Sequence, residues 1–331
     1  MQPGFFDHQG RLDQLERLGD PLPKLERSVD WEAFRSALEK VYKRSDPRKG
    51  GRPPFDAVLM FKVLVLQDFY KLSDDQTEFQ IRDRYSFCRF LGLSPEGGVP
   101  DAKTIWLFRE RVKQASLVEK LFDEVLVQIE MAGLMARKGQ IVDAALVPVP
   151  KQRNSRDENA RIKAGEVPED WSQNTRRQKD VQARWTKKHG KSHYGYKNHI
   201  SVDRQHKVIR KYTVTSAEVH DSQVFEALLD EHNSSADVWA DSAYRSAERE
   251  TELSQASYRS HIHRKGTRGR PLNAREQEAN RKRSTVRARV EHVFAQQANR
   301  LVRTIGLERA AVKIGMMNLV YNLRRLAWFT G

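Results

Sequence analysis

The feature that most restricts this chain is the run Ile141 to Val147, in which every side chain but that of Asp143 is apolar. A strand in a half-wet sheet alternates apolar with polar residues; an unbroken apolar run is buried on both faces. The run therefore predicts a covered sheet and places one carboxylate where charge is penalised. Something must compensate Asp143.

The neighbouring sequence supplies the rest of an α/β unit. Asn198 to Asp203 and Lys207 to Ala217 read as strands, Val219 to Leu229 as an amphipathic helix, and Asp237 to Asp241 as the end of a further strand. Between the first two strands, the polar stretch from Pro150 to Gly190 reads as a surface loop or small insertion. Two long helices close the chain, Asn273 to Arg303 and Leu307 to Phe329, the second with Leu319, Leu323 and Leu326 as a packing stripe.

Upstream the pattern is helical. Val29 to Tyr42 has near-helical apolar spacing, and Pro53-Pro54 opens a helix carrying Phe55, Val58, Leu59, Phe61, Val63, Leu64 and Leu66. Ser73 before Asp74-Asp75-Gln76 reads as an N-cap, Gly97-Gly98 as a break, and Asp101 as the cap of another helix. Short helices joined by tight turns suggest a helix-turn-helix-like unit with Lys103, Thr104 and Arg109 facing DNA; an ordinary helical bundle explains the pattern equally well. The expected division is a helical domain over 1–135 and an α/β domain over 136–331, with a basic insertion at about 150–190.

Charge narrows the partners. The chain holds 59 Lys and Arg against 44 Asp and Glu, a net +15. Two windows, 171–200 at +7 and 261–290 at +8, carry all of that excess. Such concentration fits a surface that tracks phosphates better than a generally solvated one. Cys88 is the one cysteine, which excludes an intrachain disulfide framework and a multi-cysteine zinc site and fits a reducing, cytoplasmic setting. The most apolar run, Ala57 to Tyr70, is interrupted by Lys62 and Asp68 and is too short to span a bilayer. The opening MQPGFFDHQG lacks the basic-then-apolar order of a signal peptide, so neither membrane insertion nor secretion is expected.

Asp241, which follows Val238-Trp239-Ala240, resembles Asp143 in its setting. Taken singly, either aspartate reads as a turn cap as readily as a functional group. As a pair at the ends of neighbouring strands they can share divalent cations, magnesium or manganese, because hard oxygen ligands suit those ions and the metal removes their mutual repulsion. A third ligand would come from the helix through Thr285 to Arg300, where Glu291 borders the apolar face of Val286, Val290 and Val293. Arg287, four residues earlier, lies on the same side; an exposed ion pair between the two is the competing reading. In-line cleavage of a phosphodiester needs an activated oxygen nucleophile and a stabilised leaving oxygen, and two metals about 3.5 to 4 Å apart hold both.

Other residues are less decisive. His193, His199, His261 and His263 lack cysteine partners and an HExxH spacing, so they read as members of a DNA-facing surface and not as a zinc site. Asp221 after His220 favours a helix start. Trp185 and Tyr194 among the lysines either stack on bases or pack in the core. Lys197 and Arg287 are the first choices for phosphate contacts, followed by Tyr244 and Arg245, with Lys187 and Lys188 in the same basic window.

These residues resemble the DDE transposases of bacterial insertion sequences, specifically the large group named after insertion sequence five. Asp143 in IVDAALV, Asp241 in WADSAYRS and Glu291 in RARVEHVF look like its three acidic residues. PGFFD, the DPL of Asp20 to Leu22, VPDAKTIWLFRER, RWTKKHGKSHYGYKNHISVD, TVTSAEVHDS and YNLRRL extend the likeness along almost the whole chain. The resemblance implies a ribonuclease H-like α/β core, a mixed sheet flanked by helices, with Asp143 on the first strand, Asp241 just after the fourth and Glu291 on a late helix. It also implies an N-terminal all-α domain that helps bind the element's ends. The three acids would be both the catalytic residues and the ligands of two Mg2+ ions, with Mn2+ able to substitute. The partner would be double-stranded DNA at transposon ends and target, and pairing two ends makes a homodimer reasonable. The family's pattern around the glutamate often begins with Tyr and ends with Arg or Lys; here those positions are Ser284 and Ala298, so those two roles do not carry over, although Arg300 lies nearby. A nuclease of the same fold that cuts without joining, and a domesticated DNA-binding protein without catalysis, are the alternatives.

Overall fold

The computed structural model describes residues 7–42, 53–94, 96–188, 190–298 and 300–331; the opening MQPGFF lies outside them. The chain divides into two compact units, one formed by Met1–Leu134 with Gly315–Gly331 and the other by Met135–Ile314. The division falls near residue 135, and the last seventeen residues cluster with the helical unit.

The first unit holds α1 (Asp7–Arg17), α2 (Leu22–Ser28), α3 (Arg35–Leu38) between two 3-10 turns, α4 (Ala57–Phe69), α5 (Asp74–Asp83), α6 (Tyr85–Leu91), α7 (Ala102–Gln114) and α8 (Leu117–Met131). The expected helix over 29–42 is thus a string of short turns. α4 is buried on every side, from Ala57 to Asp68, as its all-round apolar sequence requires of a central helix. Trp31, Phe34, Phe61 and Phe90 cluster beside it with ring centroids 4.9 to 6.3 Å apart, each pair adding about 0.5–1.5 kcal/mol beyond area burial. Ser73 and Gln76 form a reciprocal capping box at the start of α5, and Asp101 caps α7, as read from the sequence.

The second unit is a six-stranded mixed sheet covered by helices. It runs β1 (Gln140–Pro148), α9 (Arg156–Lys163), α10 (Gln173–Gln178), β2 (Arg184–Lys188), β3 (Lys191–Asp203), β4 (Ile209–Ser216), two 3-10 turns (Asp221–Val224 and Glu226–Leu228), β5 (Asp237–Trp239), a 3-10 turn (Ser242–Tyr244), α11 (Ala247–Gln255), β6 (Arg259–Ser260), α12 (Ala274–Gln297) and α13 (Leu307–Thr330), the last shared with the first unit from Gly315 onward. The order is β2-β3-β1-β5-β6, with β4 also pairing the long β3. β1, β3 and β4 pair antiparallel, whereas β5 runs parallel to β1 and β6 parallel to β5.

β1 is buried on both faces. Val142 looks into a core of Phe225, Leu228, Val238, Ala240, Tyr244, Leu253 and Ile262. The opposite face, which carries Asp143, is covered by α12, whose Val290, Val293 and Gln297 are buried. The stretch 150–190, read as a surface loop or small insertion, contains two capped helices and the strand β2, the first helix opened by a Ser155–Glu158 capping box. The expected helix over 219–229 is replaced by two 3-10 turns that bury Phe225 and Leu228, three residues apart, matching a three-residue period. Gly139, at φ +87°, opens β1 where a Cβ would collide with the Asp237 carbonyl and the Trp239 ring, so the close approach of β1 to β5 depends on glycine there.

Candidate active site

Strand register alone brings the two aspartates together. Ile141 pairs with Trp239 in the parallel β1–β5 ladder. Asp143 and Asp241 each follow by two residues and so emerge side by side, Asp143 within β1 and Asp241 just past the carboxyl end of β5. Asp143 is 8% exposed, and its Oδ1 accepts a hydrogen bond from the Ala144 amide at 2.8 Å. Asp241 caps the turn beyond β5, accepting from the amide and hydroxyl of Ser242.

The compensating charge comes from α12. Arg287 Nη2 donates to Asp143 Oδ2 at 2.7 Å and stands 3.9 Å from Asp241 Oδ2, so one guanidinium nitrogen serves both carboxylates. Burial works against the Asp241 carboxylate, but Arg287 and the Ser242 hydrogen bonds outweigh it and hold the group below the usual carboxylate range. Burial and the positive charge of Arg287 push the His263 imidazole below its ordinary value, against the opposing pull of Asp241. The Tyr244 hydroxyl, buried and without a hydrogen-bond partner, is pushed well above its ordinary value by burial and by Asp143, Asp221 and Asp241.

On the other face of β3, Lys197 Nζ donates to Asp221 Oδ1 at 2.8 Å and to the Val219 carbonyl at 2.7 Å. His199, fully buried, shares a 2.8 Å hydrogen bond with Thr215, and its Nδ1 lies 4.0 Å from Asp221. Burial brings this imidazole down to about 4, only partly countered by Asp221, so it is neutral at pH 7.

Residues 135–323 match the transposase DDE domain family, and residues 10–111 match a transposase domain, DUF772. The chain belongs to the DDE transposase family. In a comparison of solved structures it is similar to the piggyBac transposase in a synaptic complex with hairpin DNA, at 12% sequence identity and a TM-score of 0.46, covering 93% of this chain and 75% of that one.

The DDE transposase fold does not place all expected site residues alike. Glu291 lies on α12 one turn beyond Arg287 and is exposed. Among the described residues no three His, Cys, Asp or Glu side chains stand close enough together to hold a metal ion. The aspartate pair does suit a hard divalent cation, since it offers adjacent carboxylate oxygens that already hold one shared positive group. Family membership carries with it the general use of divalent metal ions. Asp241 follows the fifth strand and not the fourth, because β2 adds a strand ahead of it.

Lys187 and Lys188 are exposed on β2, and Trp185 beside them is 45% exposed, its ring 5.1 Å from that of Tyr194 and capped by the Lys151 ammonium at 5.8 Å. Lys103 is exposed on the first turn of α7, with Thr104 half-buried. Three expected phosphate contacts are turned inward. Arg109 is buried and forms a bidentate pair with Asp74, both contacts 2.7 Å, plus a 2.9 Å hydrogen bond to Gln67. It continues the buried stripe of Ile105, Phe108 and Val112, which is why it points into the unit. Tyr244 is 1% exposed and belongs to the core beneath the aspartates. Lys197 is spent on Asp221. Arg245 is half-buried, paired with Glu250 at 3.1 Å and with the Ile262 carbonyl. No helix among the described residues is long and apolar enough to cross a membrane.

The sequence reading did not anticipate that Arg287 faces the aspartates, or that Tyr244 and His263 belong to the same cluster. No local signal announces these placements, because they depend on the pairing of β1 with β5 and on the packing of α12 against β1.

Proposed function

We propose that this DDE transposase belongs to the insertion-sequence-five group, that it binds the terminal inverted repeats of its element, and that it carries out both hydrolysis at the element's ends and joining of the freed 3′-hydroxyl to target DNA. The observation that carries the reading is the pair of aspartates on the adjacent β1 and β5, facing a single arginine of a basic helix. The sheet order, three antiparallel strands continued by two parallel ones, supports a ribonuclease H-like core.

Asp143 and Asp241 are the primary ligands for a pair of Mg2+ ions, which supply activation of the attacking oxygen and charge stabilisation of the leaving oxygen when bound. Glu291 is the third ligand; one turn from Arg287, it shares that side of α12. Asp143 is fixed by β1 and its Ala144 hydrogen bond, and Asp241 by Ser242, so the protein itself orients both carboxylates. The exposed cations of β2 and of the 261–290 segment, including Lys265, Arg268, Arg270 and Lys282, bind phosphates along double-stranded DNA, and Trp185 provides a stacking face. Two protomers act together because two ends must be joined.

End cleavage and strand transfer on labelled DNA test the reading. Asp143→Asn, Asp241→Asn and Glu291→Gln should each retain end binding and lose magnesium-dependent cleavage. Retained cleavage in either aspartate variant contradicts the assignment, and cleavage without joined product from pre-cut ends identifies a nuclease instead.

A further inference from the structure

We propose that Arg287 is an internal counter-ion of the aspartate pair: its guanidinium holds the place between Asp143 and Asp241 that a divalent cation takes in the loaded enzyme, and once released it pairs with a DNA phosphate. The inference rests on the reading above, in which the two aspartates are cation ligands.

Three observations support it. First, Asp143 is buried, and a buried carboxylate stripped of its counter-charge is strongly destabilising, so either the guanidinium or another cation must be present. Both cannot occupy the same oxygens, because Arg287 already takes Oδ2 of Asp143 and approaches Oδ2 of Asp241, and two cations that close repel.

Second, the pair is built differently from the Arg109–Asp74 ion pair. Arg109 grips Asp74 with both terminal nitrogens at 2.7 Å. Arg287 reaches the two aspartates through a single nitrogen, and its buried Nε has no hydrogen-bond partner. A guanidinium that leaves a buried donor unpaired gives up less when it departs than one whose donors are met.

Third, the Tyr244 hydroxyl beside the carboxylates is also buried and unpartnered. Its donor becomes usable if the oxygens or the solvent of the cluster rearrange. The released arginine, charged at every working pH, has a planar fork suited to a phosphate oxygen pair.

Mn2+ titration of the full chain without DNA, followed by electron paramagnetic resonance, decides the matter. The apparent dissociation constant is the intrinsic one divided by the fraction of molecules in which the guanidinium has left, so Arg287→Met should tighten Mn2+ binding by about tenfold or more. The same variant should unfold at lower temperature in chelator and recover much of the loss in Mn2+, more than wild type gains. Arg287→Lys, with a point charge in place of the fork, should tighten binding by an intermediate factor, and it decides the question if the methionine variant does not fold. Mn2+ binding that is unchanged or weaker in the folded Arg287 variants overturns the exchange. A control with Asp143→Asn and Asp241→Asn together separates the two levels: if wild type binds Mn2+ no better than this double variant, the aspartates are not the cation ligands and the functional reading itself fails.

Discussion

Replacing Arg109 with methionine distinguishes a core ion pair from a DNA contact. The substitution keeps the length and apolar stem of the side chain but removes three charge-assisted hydrogen bonds, two to Asp74 and one to Gln67. Breaking a fully buried pair by deleting one partner costs about 3–5 kcal/mol. The Asp74 side chain keeps 23% of its surface in water, against 9% for Arg109, so the loss should fall near about 2–3 kcal/mol. For a unit of about 150 residues, each kcal/mol moves the midpoint by about 2–4 °C, so calorimetry should show the helical unit melting about 4–12 °C lower. Below that temperature, the variant should bind end DNA with wild-type affinity and an unchanged dependence of log K on log salt. A salt slope shallower by about 0.9, with an unmoved melting point, would mean that Arg109 neutralises a phosphate and that the inward placement is mistaken.

Two further outcomes follow from the α/β unit. Changing Lys187 and Lys188 together to alanine should weaken DNA binding at all sequences alike and flatten the salt slope by about 1.8, leaving stability unaltered because both side chains are exposed; an unchanged slope in filter-binding titrations would remove β2 from the DNA surface. The His199 imidazole has a folded value lowered to about 4 from 6.5, so the unfolded chain takes up the proton first as pH falls. Stability should therefore drop between about pH 6.5 and 4, by up to about 1.4 kcal/mol per pH unit from this group, and denaturant titrations of His199→Gln should lack that part of the slope. Identical profiles for the two proteins would show that His199 is free to protonate in the folded state.

Local patterns were read from the sequence where one physical cause dominates. The unbroken apolar run of β1, the capping of α5 by Ser73 and of α7 by Asp101, and the all-round apolar α4 are each legible without tertiary information. The segment over 150–190 was legible in part: the Ser155–Glu158 spacing announces a helix start, but the high polarity of the stretch suggested a loop. Arg109 was misplaced because its partner, Asp74, is thirty-five residues away and was legible only as a first-turn carboxylate. The aspartates were legible one at a time from strand context, whereas their meeting depends on a two-residue ladder between β1 and β5 that no local pattern encodes. The inward turn of Arg287 depends on where α12 lies against the sheet, and the helix's weakly apolar sequence gives little indication of its buried side.

The cation centre can be mapped directly by iron-mediated backbone cleavage. Fe2+ replaces Mg2+ in the protein bound to end DNA, and ascorbate with peroxide generates hydroxyl radicals that cut the chain beside the metal. Cuts are expected beside Asp143 within β1, beside Asp241 just past β5 and beside Glu291 on α12, all suppressed by excess Mg2+. Cuts that avoid both aspartates, or that persist unchanged in the Asp143→Asn, Asp241→Asn double variant, would contradict the cation assignment.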